Sequence, residues 1–183
     1  GIFVFIATLA AVALYVMFPS YTINWHSETG RVAYRNRNYE AAVEHFQKLT
    51  QIRPSNPAYH KQLADALWGA KQFDKAMAEY KLAQKYNPKL NLDHEIGICL
   101  AEEDKMDEAK VYLNKVMSQK PEDPAANYFM AVDLMSQGLY PEAAQALAAS
   151  STDPVWDERA KPLREKIKAQ LLGTDDAAAQ QVQ

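Results

Sequence analysis

His26, His60 and His94 recur at intervals of 34 residues, and three imidazoles in register are the kind of donor set from which a zinc centre is built. The spacing argues against a shared ion. If the period reflects stacked helix pairs, neighbouring pairs lie about 9 Å or more apart, whereas zinc holds its nitrogens at about 2.1 Å. Repeat register accounts for the interval, and His45 falls on a different helix. Other chemistry is equally thin: there is no glycine loop to cradle phosphate, no Gly-x-Ser-x-Gly nucleophile and no acidic metal loop. Cys99 is the single cysteine and cannot form an internal disulfide; beside Ile98 and Leu100 it is expected to pack as a small core residue. The sequence therefore predicts no catalytic, cofactor or metal site, and the protein is expected not to be an enzyme.

Composition narrows the classes further. The 183 residues, 48% of them hydrophobic, suffice for one domain of ordinary size. A net charge of −3 gives no basic surface of the kind that nucleic acid requires, so nucleic acid is not an expected partner.

The elements that position these residues follow a repeat. Ala42, Ala76, Ala109 and Ala143 lie 34, 33 and 34 residues apart, each three positions after Tyr39, Phe73, Met106 or Tyr140. Twelve residues before each alanine stands Gly30, Ala64, Gly97 or Ala131; four after it stands Phe46, Tyr80, Leu113 or Leu147. Antiparallel helices approach closely only where a small side chain on one admits a large one from the other. A proline closes each unit, at Pro54, Pro88, Pro121 and, one position early, Pro154, because it cannot donate the next helical hydrogen bond. The pattern resembles the tetratricopeptide repeat family over residues 23–155, most cleanly in the second unit. It departs where the family has a tryptophan near the start of the first helix, since this chain has His26, His60, Asp93 and Asn127. The expected fold is all-α: a solenoid of about four helix pairs over residues 20–155, with an N-terminal transmembrane helix and a C-terminal capping helix.

The resemblance implies that the first helix of each pair lines a concave groove. Carried over, that geometry gives Asn24, Ser27, Glu28, Arg31 and Arg35 in the first unit, and Lys61, Gln62, Asp65 and Trp68 in the second. The third supplies His94, Glu95, Ile98 and Glu102, and the fourth Tyr128, Phe129, Val132 and Met135. The groove is expected to run from polar and basic to apolar, and its apolar end to leave Tyr128, Phe129 and Met135 partly exposed for a partner peptide. Some family members grip a C-terminal carboxylate with cations and asparagines. Here Ser27, Arg31, Gln62, Asn91 and Glu95 stand at those places, and Glu95 would repel a carboxylate, so that clamp is absent.

The two ends read differently. Residues 1–19 form the expected anchor: Ile2 to Phe18 is apolar or small apart from Thr8, and no charge occurs before Glu28. Seventeen helical residues rise about 25 Å, near the lower limit for a bilayer core, and Phe18, Tyr21 and Trp25 suit the headgroup zone. A cleavable leader with its site near Ala11-Val12-Ala13 is the competing reading, disfavoured because the apolar run continues past that site. The lack of Lys and Arg before Arg31 favours export of the solenoid, to the periplasm of a bacterium. Residues 156–172 form a capping helix, with Trp156, Ala160, Leu163, Ile167 and Leu171 at intervals of three and four; Pro162 predicts a kink or a break within it. The cap is expected to cover the last repeat's second helix and leave the groove partly open. Residues 173–183 lack periodicity and are expected to form a flexible tail. Together these features predict a membrane-anchored interaction scaffold that binds a partner peptide or subunit, touches the lipid bilayer through its N-terminal helix, and assists assembly of a membrane or envelope complex. The alternatives are a permanent accessory subunit of such a complex and a docking receptor facing the cytoplasm.

Overall fold

The computed structural model describes residues 20–180, with side chains placed for residues 20–173. The expected anchor at 2–18 lies outside the described residues. Among the described residues every regular element is an α-helix, and none is long and apolar enough to cross a membrane. The chain divides into two compact units with their boundary between Asn91 and Leu92.

The first unit contains α1 (residues 20–35), α2 (Tyr39–Ile52), α3 (Pro57–Gly69) and α4 (Phe73–Tyr86). Short polar side chains set the starts of α2 and α3. The Asn38 side chain accepts from the Ala41 amide at 3.3 Å, and that of Asn56 from the Ala58 amide at 2.9 Å, with Pro57 in the first helical turn where no amide is required. Ala42, Phe46, Leu63, Ala64, Ala76 and Tyr80 are buried, and small residues meet large ones between paired helices as the sequence predicts. A Cβ on Gly30 would lie 2.7 Å from the Phe46 ring, so only glycine lets α1 approach α2 this closely.

The second unit contains α5 (Asp93–Glu102), α6 (Met106–Gln119), α7 (Pro124–Ser136), α8 (Tyr140–Ser150) and α9 (Pro154–Gln180). Gly97 repeats the device of Gly30: a Cβ there would stand 3.0 Å from Leu113. Ala131, Ala143, Leu147, Ala160 and Ile167 form one buried cluster that ties α9 to α7 and α8.

Every pair turns through one left-handed residue: Arg37, Lys71, Asp104 and Gly138, with φ between 58° and 77°. In each turn the next amide reaches back five residues, as from Gln72 to Leu67 (2.8 Å) and from Leu139 to Leu134 (2.9 Å). This bond satisfies a carbonyl that the helix end would otherwise orphan.

Two expectations at the C-terminal end are settled differently. Pro154 opens α9 and does not close α8, which already ends at Ser150; proline fits a first turn because no partner there awaits its missing amide. Of the kink or break expected at Pro162, the break is excluded, since the residue lies inside the continuous α9. The carbonyl it deprives, that of Glu158, belongs to an exposed residue where water can serve it, while the buried Ala160 and Ile167 hold the helix to its neighbours. α9 runs from Pro154 to Gln180.

Candidate functional site

In the first unit the polar groove candidates converge. α1 supplies Glu28, Arg31, Tyr34 and Arg35, α2 supplies Phe46, and α3 supplies Gln62 and Asp65, which together line an open cleft of about 360 Å³. Helical spacing explains the gathering: residues 28, 31 and 35 lie three and four apart on one face of α1, and 62 and 65 three apart on α3. Arg31 reaches Glu28 at 2.8 Å and Arg35 approaches it at 3.9 Å, both well exposed, so the two cations share one carboxylate and keep excess positive charge at the rim. Asp65 accepts from Lys61 Nζ at 2.9 Å and from the Tyr80 hydroxyl at 2.8 Å, which fixes Lys61 beside the cleft. Burial raises the Tyr34 pKa, and the nearby Asp65 charge raises it further, so its hydroxyl stays a donor.

Gln62 carries the informative atom. Its Oε1 is buried and has no hydrogen-bond partner, an arrangement that costs about 1–3 kcal/mol while it persists. A ligand donor placed there would remove that cost. Trp68, the remaining candidate of this unit, instead packs edge-on to Phe73 at 6.4 Å.

The second unit treats its candidates differently. Ile98 and Phe129 are buried, at 5% and 4% exposure, and serve as core. The expectation that Phe129 stands partly exposed is overturned, because α9 returns across it: Trp156 lies 5.6 Å from the Phe129 ring and 5.3 Å from that of Tyr128. Arg159, one turn further along α9, sits over all three rings at 4.7–5.6 Å and bonds Glu102 Oε1 at 2.5 Å. Burial opposes its charge, but the Glu102 carboxylate prevails and raises the guanidinium pKa. The cap thus covers apolar groove positions that were expected to stay open. Val132 and Met135 are half-buried, with Met135 packed on the core cluster, Glu95 is half-buried, and His94 Nε2 lies 3.2 Å from Asp123.

The histidines take separate partners. His60 sits between Glu79 (2.6 Å) and the Pro54 carbonyl (2.7 Å), closing the loop before its helix as the Asn127 amide does on the Pro121 carbonyl at 2.8 Å. His26 occupies the same repeat position as His60 and meets His45, Nδ1 to Nδ1, at 3.0 Å. Register does not account for His94 as expected: the second-to-third spacing is 33, so Asp93 is the equivalent of His60 and His94 lies one residue beyond it.

Tyr34 and Arg159 carry no signal in the repeat pattern, and the pattern gives His45 no role. The repeat pattern gives Phe46 to packing, and it also lines the cleft. The signal for Arg159 was its place three residues after Trp156, on the same helix face.

Antiparallel helix pairs joined by left-handed turns, with small-for-large packing at a period of 33 or 34, define the class of helical repeat proteins. The sequence profile of the tetratricopeptide repeat family matches residues 33–93 and 100–167, and the chain belongs to that family. Among solved structures it is similar to MamA from Desulfovibrio magneticus RS-1, residues 41 to the end. The two share 14% identity with a TM-score of 0.61 over 87% of this chain and 97% of that one. A double mutant described as MamA RS-1 ArsTM gives 14% identity and a TM-score of 0.60, covering 87% and 96%. No curated protein matches in sequence.

Proposed function

We propose that the chain is a protein-interaction scaffold whose partner lays an acidic, extended segment into the cleft of the first unit, and that residues 2–18 hold it at a membrane. The observation that carries this reading is the orphaned Gln62 Oε1 beside Arg31 and Arg35. A peptide amide would supply the missing donor, and a carboxylate side chain would draw the arginines from their shared Glu28. Charge distribution supports the same polarity. Residues 1–91 hold 11 Lys and Arg against 6 Asp and Glu, whereas residues 92–183 hold 9 against 17, so the first unit is net +5 and the second net −8. Tyr21 and Trp25, 70% and 50% exposed on α1, follow directly on the apolar stretch and suit a headgroup zone. The absence of Lys and Arg between that stretch and Arg31 favours export, so the scaffold serves an envelope complex and carries out no chemical step itself.

Retention of partners by the intact, detergent-solubilised chain tests the reading. Gln62→Ala and Arg31→Glu are expected to lose the partner while circular dichroism and thermal midpoint stay unchanged; unchanged retention by both variants would remove the cleft from consideration. One observation favours a second reading, the permanent accessory subunit: the covered apolar end leaves fewer groove positions for a transient client. A subunit that co-purifies in fixed stoichiometry from mild detergent would decide for it.

A further inference from the structure

We propose that His26 and His45 form a two-imidazole site for a divalent first-row transition-metal ion, one that bridges α1 and α2. Their Nδ1 atoms are 3.0 Å apart. Two nitrogens held by one ion at about 2.0–2.1 Å, with a bond angle between 90° and 110°, stand about 2.9–3.4 Å from each other, so the pair is already spaced as adjacent ligands.

The second pair of helices shows what this position does when no metal is in question. Its equivalents, His60 and Glu79, join a ring nitrogen to a carboxylate, and the other ring nitrogen is spent on the Pro54 carbonyl. In the first pair an imidazole replaces the carboxylate. One Nδ1 must then carry a proton for the other to accept, and when that proton moves to Nε2 of its own ring both lone pairs become free for an ion with no net proton release. Both residues are half-buried, which leaves water to complete the coordination sphere. Among the described residues no group of three or more metal-binding side chains occurs, so this is a site of two protein ligands. Imidazole ligation with open positions favours copper(II) over nickel(II) and zinc(II).

Trp25 provides the readout. Its ring is edge-on to both imidazoles, 4.7 Å from His26 and 5.1 Å from His45, so copper(II) bound there quenches its fluorescence. Titration of the untagged full chain with copper(II), and separately with zinc(II) by calorimetry, is expected to show saturable binding of one ion. Copper quenching and zinc binding should both disappear in His26→Gln and His45→Gln and persist in His94→Gln. Trp25→Phe should remove most of the quenching but keep the calorimetric signal. Absence of saturable binding, or binding unchanged in both histidine variants, would overturn the site. Should those variants fail to fold, the copper(II) electron paramagnetic resonance spectrum of the wild type decides alone: hyperfine coupling to two imidazole nitrogens supports the assignment, and its absence refutes it.

Discussion

Cys99 shows how far a single residue follows from its neighbours. The sequence places it between Ile98 and Leu100 as packing, and in α5 it has no exposed surface. Burial, reinforced by the charges of Glu102, Glu95 and Glu103, pushes its thiol up to about 12, so the nucleophilic thiolate is scarce at neutral pH. We expect the folded protein to resist alkylation by maleimide at pH 7.5 and to react only after denaturation, a contrast that mass spectrometry of timed samples would measure. Rapid modification of the native chain would mean that α5 opens locally. Gln62 stands at the opposite pole: its position on α3 was legible in the repeat register, but its unpaired oxygen was not, because hydrogen-bond satisfaction depends on side chains from three helices. The pairing of His45 is hidden for a related reason. It lies on another helix from His26, yet antiparallel pairing brings residues 19 apart into contact, as His60 and Glu79 show one repeat later.

At the level of the element, the turns carry a strain that the repeat tolerates. A non-glycine residue in the left-handed region costs about 1–2 kcal/mol, and the added flexibility of glycine in the unfolded chain takes back about 0.5–1 kcal/mol. Lys71→Gly is therefore expected to stabilise the protein by about 0.5–1 kcal/mol in urea denaturation. Gly138→Ala should destabilise by about 1 kcal/mol through the backbone alone, since an added Cβ there meets nothing within 4 Å. Equal signs for the two changes would refute this account. Helix starts and the small-for-large contacts were readable because each depends on one or two side chains at fixed spacing. The path of α9 was not. Its stripe of Trp156, Ala160 and Ile167 shows that the helix buries a face, but not which helices receive it, and Trp156 falls on Tyr128 and Phe129. Phe129→Ser is accordingly expected to cost at least the about 3–5 kcal/mol of a buried Phe→Ala change, visible as a lowered urea midpoint, whereas an exposed groove residue would leave the midpoint nearly unchanged.

Across the whole molecule the sequence yields the repeat count and family with little ambiguity, because a period of 33 or 34 residues constrains every helix pair at once. It yields the partner only as chemistry. The net charge of −3 conceals a first half of +5 and a second of −8, and a chain so divided attracts acidic segments to one unit and repels them from the other. Arg31 and Arg35 are exposed, so their attraction acts through water and is screened over about 10 Å at 0.1 M salt and about 3 Å at 1 M. If an acidic segment occupies the cleft, retention of the partner should fall steadily between 0.05 and 1 M sodium chloride, concentrations chosen to span roughly that range of screening, and most of the change should lie in the association rate. Arg31→Glu should flatten the dependence, and Glu28→Gln, which frees both arginines, should steepen it. Retention that strengthens with salt would identify an apolar contact as the dominant one, and the partner site would then have to be sought away from these arginines.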